Sequence, residues 1–332
     1  MFRKKPLRIN SYLGYGTLST IRAVGRALED ENVQFNGNTG TLKTLKNIYR
    51  QFESDEIPNI LIELKLSNGE TFSTYTDAEG YYLFQENIHN NKELINAQGW
   101  IYYTVSFKEK QHKSIINNNI FEGEMLVPSS QAEYGIISDI DDTILHTGVA
   151  SLFKWKVAVN TFFKNFDKRL PIEGTIDLYR KLQSGKQNSS VNPVFYVSNS
   201  PWNLYDYLVA FLKKHNFPKG PILLRDFRTP FDKTPKPTLP HKYSEILNIL
   251  KTYPDLKFIL IGDSGEKDAD TYTKISNEHP GRILAIYLRN VKHPRKEKRI
   301  KKIINKFKTA PILLVNTSEE AIEHAKMSGF IS

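Results

Sequence analysis

The sequence predicts an α/β protein in which an antiparallel β-sandwich, residues 1–130, precedes a parallel sheet covered by helices, residues 131–332. Two observations carry this prediction. The first part of the chain alternates apolar and polar residues with the two-residue period of half-buried strands. From Tyr134 onward, short apolar strands alternate with helical stretches, a rhythm that calls for crossover helices on a parallel sheet.

In order along the chain, "STIRAVGRAL" reads as a strand, and "NILIELKLSNGETFSTYTDAEGYYLF" sets Ile60, Ile62, Leu64 and Leu66 against Leu61, Glu63 and Lys65. The latter turns at Asn68-Gly69 into the next strand, and "WIYYTVSF" adds another. Leu42, Leu45, Ile48, Tyr49 and Phe52 recur at helical spacing, so a helical insertion is expected near 40–54. No catalytic constellation precedes residue 135, and this half reads as a structural or docking module. In the second half the strands are "YGIIS", "PVFYVS", "PILL", "KFILIG", "ILAIYL" and "PILLV", separated by patterns such as "SPWNLYDYLVAFLKKH". They are apolar on both faces, as strands covered by helices on both sides must be. In such sheets, polar residues at the carboxyl ends of strands line the ligand crevice.

Composition narrows the function classes. With 39% hydrophobic and 25% charged residues the chain is globular, and the absence of cysteine excludes disulfides, thiolate metal sites and cysteine nucleophiles. The longest apolar runs fall far short of the roughly 20 residues of a membrane span. The basic start "MFRKKPLRIN" lacks the apolar core of a secretory signal, so a cytoplasmic location is expected, with any membrane contact peripheral. The net charge of +10 is concentrated: Arg289 to Lys308 holds ten Lys/Arg and one acid, Glu297, and the rest of the chain is nearly balanced. Such a cluster implies an anionic partner, whether membrane surface, nucleic acid or acidic protein, against the plainer reading of a solvated helix face. No aromatic and basic RNA-binding signature accompanies it, which argues against nucleic acid. Within it, Ile300, Ile303, Ile304 and Phe307 form one helical stripe behind Pro294, which is placed to open the helix.

The chemistry gathers at strand ends. "YGIIS" ends in Asp139-Ile140-Asp141-Asp142-Thr143, "VFYV" in Ser198-Asn199-Ser200-Pro201, and "KFILIG" in Asp263 with Asp268 five residues on. Crowded carboxylates repel one another unless a cation neutralises them, and an oxygen-only set suits Mg²⁺. Asp139, Asp141, Asp263 and Asp268 are therefore the candidate metal-facing carboxylates. Asp139 and Asp141 stand two apart and point the same way, so one can attack phosphorus while the other moves protons. Ser198, Asn199 and Lys242 are the candidate substrate-binding groups, donating to the phosphoryl oxygens. Ser200 can cap the helix that Pro201 opens. His146 lies near the site with no ligand spacing, and "SLFKWKVAVNTFFKNF", residues 151–166, reads as a small packed cap.

The order "DIDDT", strand-terminal Ser, Lys at a helix start and "GDSGEKD" resembles the haloacid dehalogenase superfamily of phosphohydrolases. More narrowly, "GIISDIDDTILHTGV", "FYVSNSPWNLYDYL", "GPILLRDF" and "FILIGDSGEKDADTY" are similar to the actin-patch-associated phosphatidate phosphatase family, whose catalytic domain they would span from about Tyr134 to the C-terminus. "GYGT" and "TDAEGYY" resemble that family's preceding β-rich region. The resemblance implies a Rossmann-like haloacid dehalogenase-type sheet with Asp139 as nucleophile, Asp141 as acid/base, Ser198 binding phosphate, Lys242 orienting it, and Asp263 and Asp268 at Mg²⁺. It also implies phosphatidate as substrate. Short insertions between the motifs leave no room for a large lid, which suits a phosphomonoester displayed on something big. A phosphatase of phosphoproteins or nucleic-acid ends, and a non-catalytic adaptor that binds phosphorylated ligands, compete with that reading.

Overall fold

A computed structural model describes residues 5–30, 56–89, 92–109, 113–145, 170–186, 192–225 and 238–332. The expected helix at 40–54, His146 and the 151–166 segment lie outside these residues. The chain divides into two compact units, Met1–Pro128 and Ser129–Ser332.

The first unit is built from β1 (Leu7–Ser11), β2 (Gly14–Gly16), β3 (Thr20–Glu29), β4 (Leu61–Leu66), β5 (Thr71–Tyr75), β6 (Tyr81–Asn87), β7 (Trp100–Phe107) and β8 (Phe121–Leu126). Hydrogen bonds link them in the order β1-β3-β2-β8-β7-β4-β5, with β6 added on β3. The alternation in β4 has the expected consequence: Ile62, Leu64 and Leu66 are buried in one cluster with Phe84, Ile101, Val105 and Met125, while Lys65 is exposed. Gly69, with φ of 96°, makes the turn between β4 and β5 and occupies a region where a side chain would be strained. One pairing was not legible in the sequence: β2 runs parallel to β8, pairing Gly14 with Met125 and Tyr15 with Leu126.

The second unit holds β9 (Gly135–Ser138), α1 (Thr175–Ser184), β10 (Val194–Pro201), α2 (Tyr205–Lys214), β11 (Ile222–Arg225), α3 (His241–Thr252), β12 (Phe258–Asp263), α4 (Asp268–Glu278), β13 (Ile283–Arg289), α5 (Pro294–Lys306), β14 (Ile312–Val315) and α6 (Ser318–Met327). The six strands are all parallel and ordered β11-β10-β9-β12-β13-β14. Counted within the unit, this is the order 3-2-1-4-5-6 of doubly wound sheets, whose direction of winding reverses between β9 and β12 and opens a crevice at their carboxyl ends. All six residues of β12 and all four of β9 are buried, as central strands between helical layers require. Asp139 follows β9 directly, and Asp263 closes β12.

Candidate active site

Three buried carboxylates meet at this reversal point. Asp139, Asp263 and Asp268 each offer an oxygen within 4.8 Å of the others, and their exposures are 0%, 1% and 1%. Asp139 is fixed by its own backbone, its N–H donating to the Ile261 carbonyl at 2.9 Å, and its Oδ2 accepts from Thr143 Oγ1 at 3.2 Å. The Asp263 Oδ1 accepts from the amides of Gly265 and Glu266 in the loop beyond β12. Asp268 opens α4 and turns its Oδ2 back to the Asp263 amide at 3.2 Å, rather than capping its own helix. Gly262 makes that possible, because a Cβ there would stand 2.5 Å from Asp268 Oδ2.

Lys242 supplies the one buried ammonium among the described residues. It sits in the first turn of α3, where a cation opposes the helix dipole, and is only 4% exposed. The compensation comes from its partners: Nζ lies 2.8 Å from Asp139 Oδ1, 2.6 Å from Asp268 Oδ1 and 3.2 Å from Glu266 Oε2. The contact with Asp139 is an ion pair rather than a directed hydrogen bond, and Asp139 Oδ1 is otherwise without a hydrogen-bond partner. Burial alone would lower the Lys242 pKa, but Asp139 and Asp268 together hold it well above the usual lysine range. It therefore stays protonated.

The carboxylates respond in the opposite sense. Burial pushes Asp139 well up, with Lys242 opposing and Asp268, Asp141 and Asp263 adding to the rise. Burial, then the neighbouring Asp268, lifts Asp263 to about 7, and burial raises Asp268 against the pull of Lys242. Three carboxylates against one ammonium leave two formal negative charges uncompensated, and Asp263 Oδ2 is buried with no hydrogen-bond partner. A divalent cation fits that charge and that orphaned acceptor.

The same arithmetic gives an expected result for the metal-free protein. The Asp263 pKa is higher folded than unfolded, so its stabilising contribution is complete below its unfolded pKa of 3.8 and disappears as pH rises through about 7. In chelator, raising pH from about 5 to about 8 should cost the second unit about 2 kcal/mol, while the Asp263→Asn variant should lack most of this slope. Thermal melts of both proteins across that range check it, and parallel slopes would reject it.

Asp141 is oriented differently. Its Oδ2 accepts from Ser198 Oγ at 2.6 Å and from Ser200 Oγ at 3.0 Å, and it is not among the three clustered carboxylates. Burial raises its pKa, and the Ser198 hydrogen bond opposes the rise. Ser200 could cap a helix on sequence grounds, and this is corrected: β10 runs to Pro201, a short 3-10 turn intervenes before α2, neither has a side-chain cap, and the Ser200 hydroxyl is committed to Asp141. Asn199 donates to Glu266 Oε2 at 3.2 Å. Glu266 thus bridges Asn199 and Lys242, a role the sequence reading missed although the residue stands within "GDSGEKD". The Thr143 hydroxyl that donates to Asp139 is a second contact that spacing alone does not single out.

Residues 134–290, from the start of β9 to the end of β13, match the family described as the catalytic domain of phosphatidate phosphatase APP1. That match covers 157 of the 332 residues, just under half of the chain. Phosphatidate phosphatase APP1 of Saccharomyces cerevisiae is 40% identical over 160 residues, which is 47% of this chain and 25% of the yeast protein. An uncharacterised protein of Schizosaccharomyces pombe is 31% identical over 226 residues, 66% of this chain and 34% of that protein. The chain therefore spans only a quarter to a third of these relatives. A solved Ca²⁺-stabilised adhesin of an ice-binding Antarctic bacterium matches 41% of this chain and 29% of its own at 14% identity and a TM-score of 0.21, too distant to bear on fold or function. The matched segment contains Asp139, Asp263, Asp268 and Lys242, and it ends before α5 begins.

Proposed function

We propose that the second unit hydrolyses phosphate monoesters through an aspartyl-phosphate intermediate with Mg²⁺, and that its substrate is phosphatidate, giving diacylglycerol and inorganic phosphate. The observation that carries this reading is Lys242, a buried ammonium held between Asp139 and Asp268 beside the unpartnered oxygen of Asp263, inside a segment of the APP1 catalytic family. In this reading an Asp139 oxygen attacks phosphorus and the bond from phosphorus to the lipid oxygen breaks. Asp141, kept protonated more readily by burial, gives its proton to that leaving oxygen, then takes one from the water that hydrolyses the acyl phosphate. Its Oδ2 already accepts from two serine hydroxyls, and it stands outside the cluster of carboxylates that could hold a cation. Lys242 and Asn199 orient the phosphoryl oxygens, and Ser198 joins them when its hydroxyl turns from Asp141 to the phosphate. Asp139, Asp263 and Asp268 would hold Mg²⁺, which supplies positive charge against the phosphate.

The same reading takes residues 131–332 as a haloacid dehalogenase-type domain, supported by the parallel order around β9 and β12, and residues 1–130 as a sandwich-like module. It places the protein in the cytoplasm and at the surface of a membrane, a lipid substrate requiring such contact; no helix among the described residues is long and apolar enough to cross a bilayer. Phosphate release from phosphatidate vesicles, a phosphopeptide, a 5′-phosphorylated oligonucleotide and a sugar phosphate, each in Mg²⁺ and in chelator, tests it. Fastest release from phosphatidate, abolished by chelator, is expected. Faster release from another class, or full activity in chelator, would overturn the substrate or the metal respectively.

A further inference from the structure

In a doubly wound sheet, helices that follow a strand begin at its carboxyl end, the edge that carries the site. For α5 this placement is explicit. Arg289, the last residue of β13, pairs in register with Asp263, and the Ser264 amide donates to the Arg289 carbonyl at 2.9 Å. The Val291 amide donates to Ser264 Oγ at 3.0 Å, so the connection bearing Lys292 is tied to the residue beside Asp263. Lys296 also reaches the site loop, its Nζ standing 3.4 Å from where a Cβ on Gly265 would be. The first turns of the basic helix thus border the mouth of the site, and its last turn lies about 14 Å along the axis from its first.

The helix is held by its apolar stripe, with Ile300 and Phe307 buried and Ile303 and Ile304 half-buried. Two of its charges are used within the protein, Arg299 on Asp270 and Lys301 on Glu297. Opposite Ile300, Arg295, Lys298, Lys302 and Lys306 form an exposed row, and none of them, nor Lys292, has an ion pair with a described residue. Two of the exposed large apolar side chains in this unit, Leu170 at 73% and Leu239 at 43%, lie in connections at the same edge, just ahead of α1 and α3.

From this arrangement we infer that the edge carrying the site docks on an anionic lipid surface through Lys292, Arg295 and Lys298, the bases at the amino-terminal end of α5. The inference rests on the function proposed above and adds a direction to it. A phosphate presented by a bilayer must enter at the carboxyl ends of the strands, so the bilayer faces that edge. Exposed charges act over about 8 Å at physiological salt, so bases at the far end of α5 contribute little. None of these residues belongs to the matched family segment.

The test uses the full chain and vesicles of phosphatidylcholine with or without phosphatidylserine, which is not a substrate. Replacing Lys292, Arg295 and Lys298 by Gln should weaken binding to the anionic vesicles roughly hundredfold, from about 1 kcal/mol per charge. Replacing Lys306 and Lys308 by Gln removes charge only from the far end of α5 and should weaken it less than about threefold. Both variants should hydrolyse a soluble phosphate ester like wild type, while the first alone loses activity on phosphatidate vesicles. Equal losses in the two variants, failure of the wild type to bind anionic vesicles, or preferential binding of single-stranded RNA would overturn the docking surface. Sided vesicle binding by a protein that releases no phosphate from any ester would uphold the surface and refute the proposed function.

Discussion

The Asp139→Asn variant should turn over a chromogenic phosphate ester on the order of 10⁴-fold to 10⁶-fold more slowly than wild type, because the amide keeps the shape but is no nucleophile. The fold should survive it. Asp139 is fully buried, and that burial, with the neighbouring carboxylates adding to it, pushes its pKa well up, so removing its charge relieves desolvation and repulsion with Asp268 and Asp263. A melt of the variant at or above the wild-type temperature, alongside the lost kcat, separates loss of the nucleophile from loss of structure. Asp141→Asn gives the necessary contrast. Its carboxylate faces Ser198 and Ser200 instead of Lys242, so its loss should grow as the leaving group becomes a poorer one. Near-normal turnover in Asp139→Asn would remove that residue from the role of nucleophile.

Lys242→Met should be the most damaging change to stability. Methionine keeps an unbranched apolar stem, one atom shorter, but leaves Asp139, Asp263 and Asp268 with no internal cation. Breaking a buried ion pair by removing one partner costs about 3–5 kcal/mol, and Lys242 answers two buried carboxylates at once. Loss of a preorganised donor to the phosphoryl group should lower kcat by about 10²-fold to 10³-fold as well. The two effects separate on adding Mg²⁺, which should recover much of the melting temperature, more than in wild type, and little of the turnover. Melting curves in chelator and in Mg²⁺, with kcat in saturating Mg²⁺, check both parts. An unchanged melt in chelator would mean that the carboxylates are neutral when Lys242 is gone.

How far the sequence foretold this site depends on what kind of contact is involved. Apolar strands bounded by turn residues are local signals, and β9 to β14 fall where "YGIIS", "PVFYVS", "PILL", "KFILIG", "ILAIYL" and "PILLV" put them. Alternation in β4 sorted its two faces for the same reason. Strand-end carboxylates then converge because a parallel sheet brings all carboxyl ends to one edge. What escaped were contacts decided by competition between partners. Ser200 has the chemistry of a cap, yet a buried carboxylate offers its hydroxyl a stronger partner than a helix amide does. Glu266 is unremarkable by spacing, and only the folded loop brings it between Asn199 and Lys242. The parallel β2–β8 pairing was equally hidden, because three residues of Gly-Tyr-Gly carry no register signal.

The order of the parallel sheet also bears on when the site comes into being. β9 pairs with β12 across a gap of roughly 120 residues, matching Ile136 with Ile259 and Ser138 with Ile261. Closing so long a loop is slow relative to forming the hairpins and helices on either side of it. Until those two strands meet, Asp139 is far from Asp263 and Asp268, and the growing chain feels none of their mutual repulsion. The cluster of carboxylates is thus a product of that long-range closure, and a divalent ion held by it would act on the finished fold, slowing its opening rather than guiding its assembly.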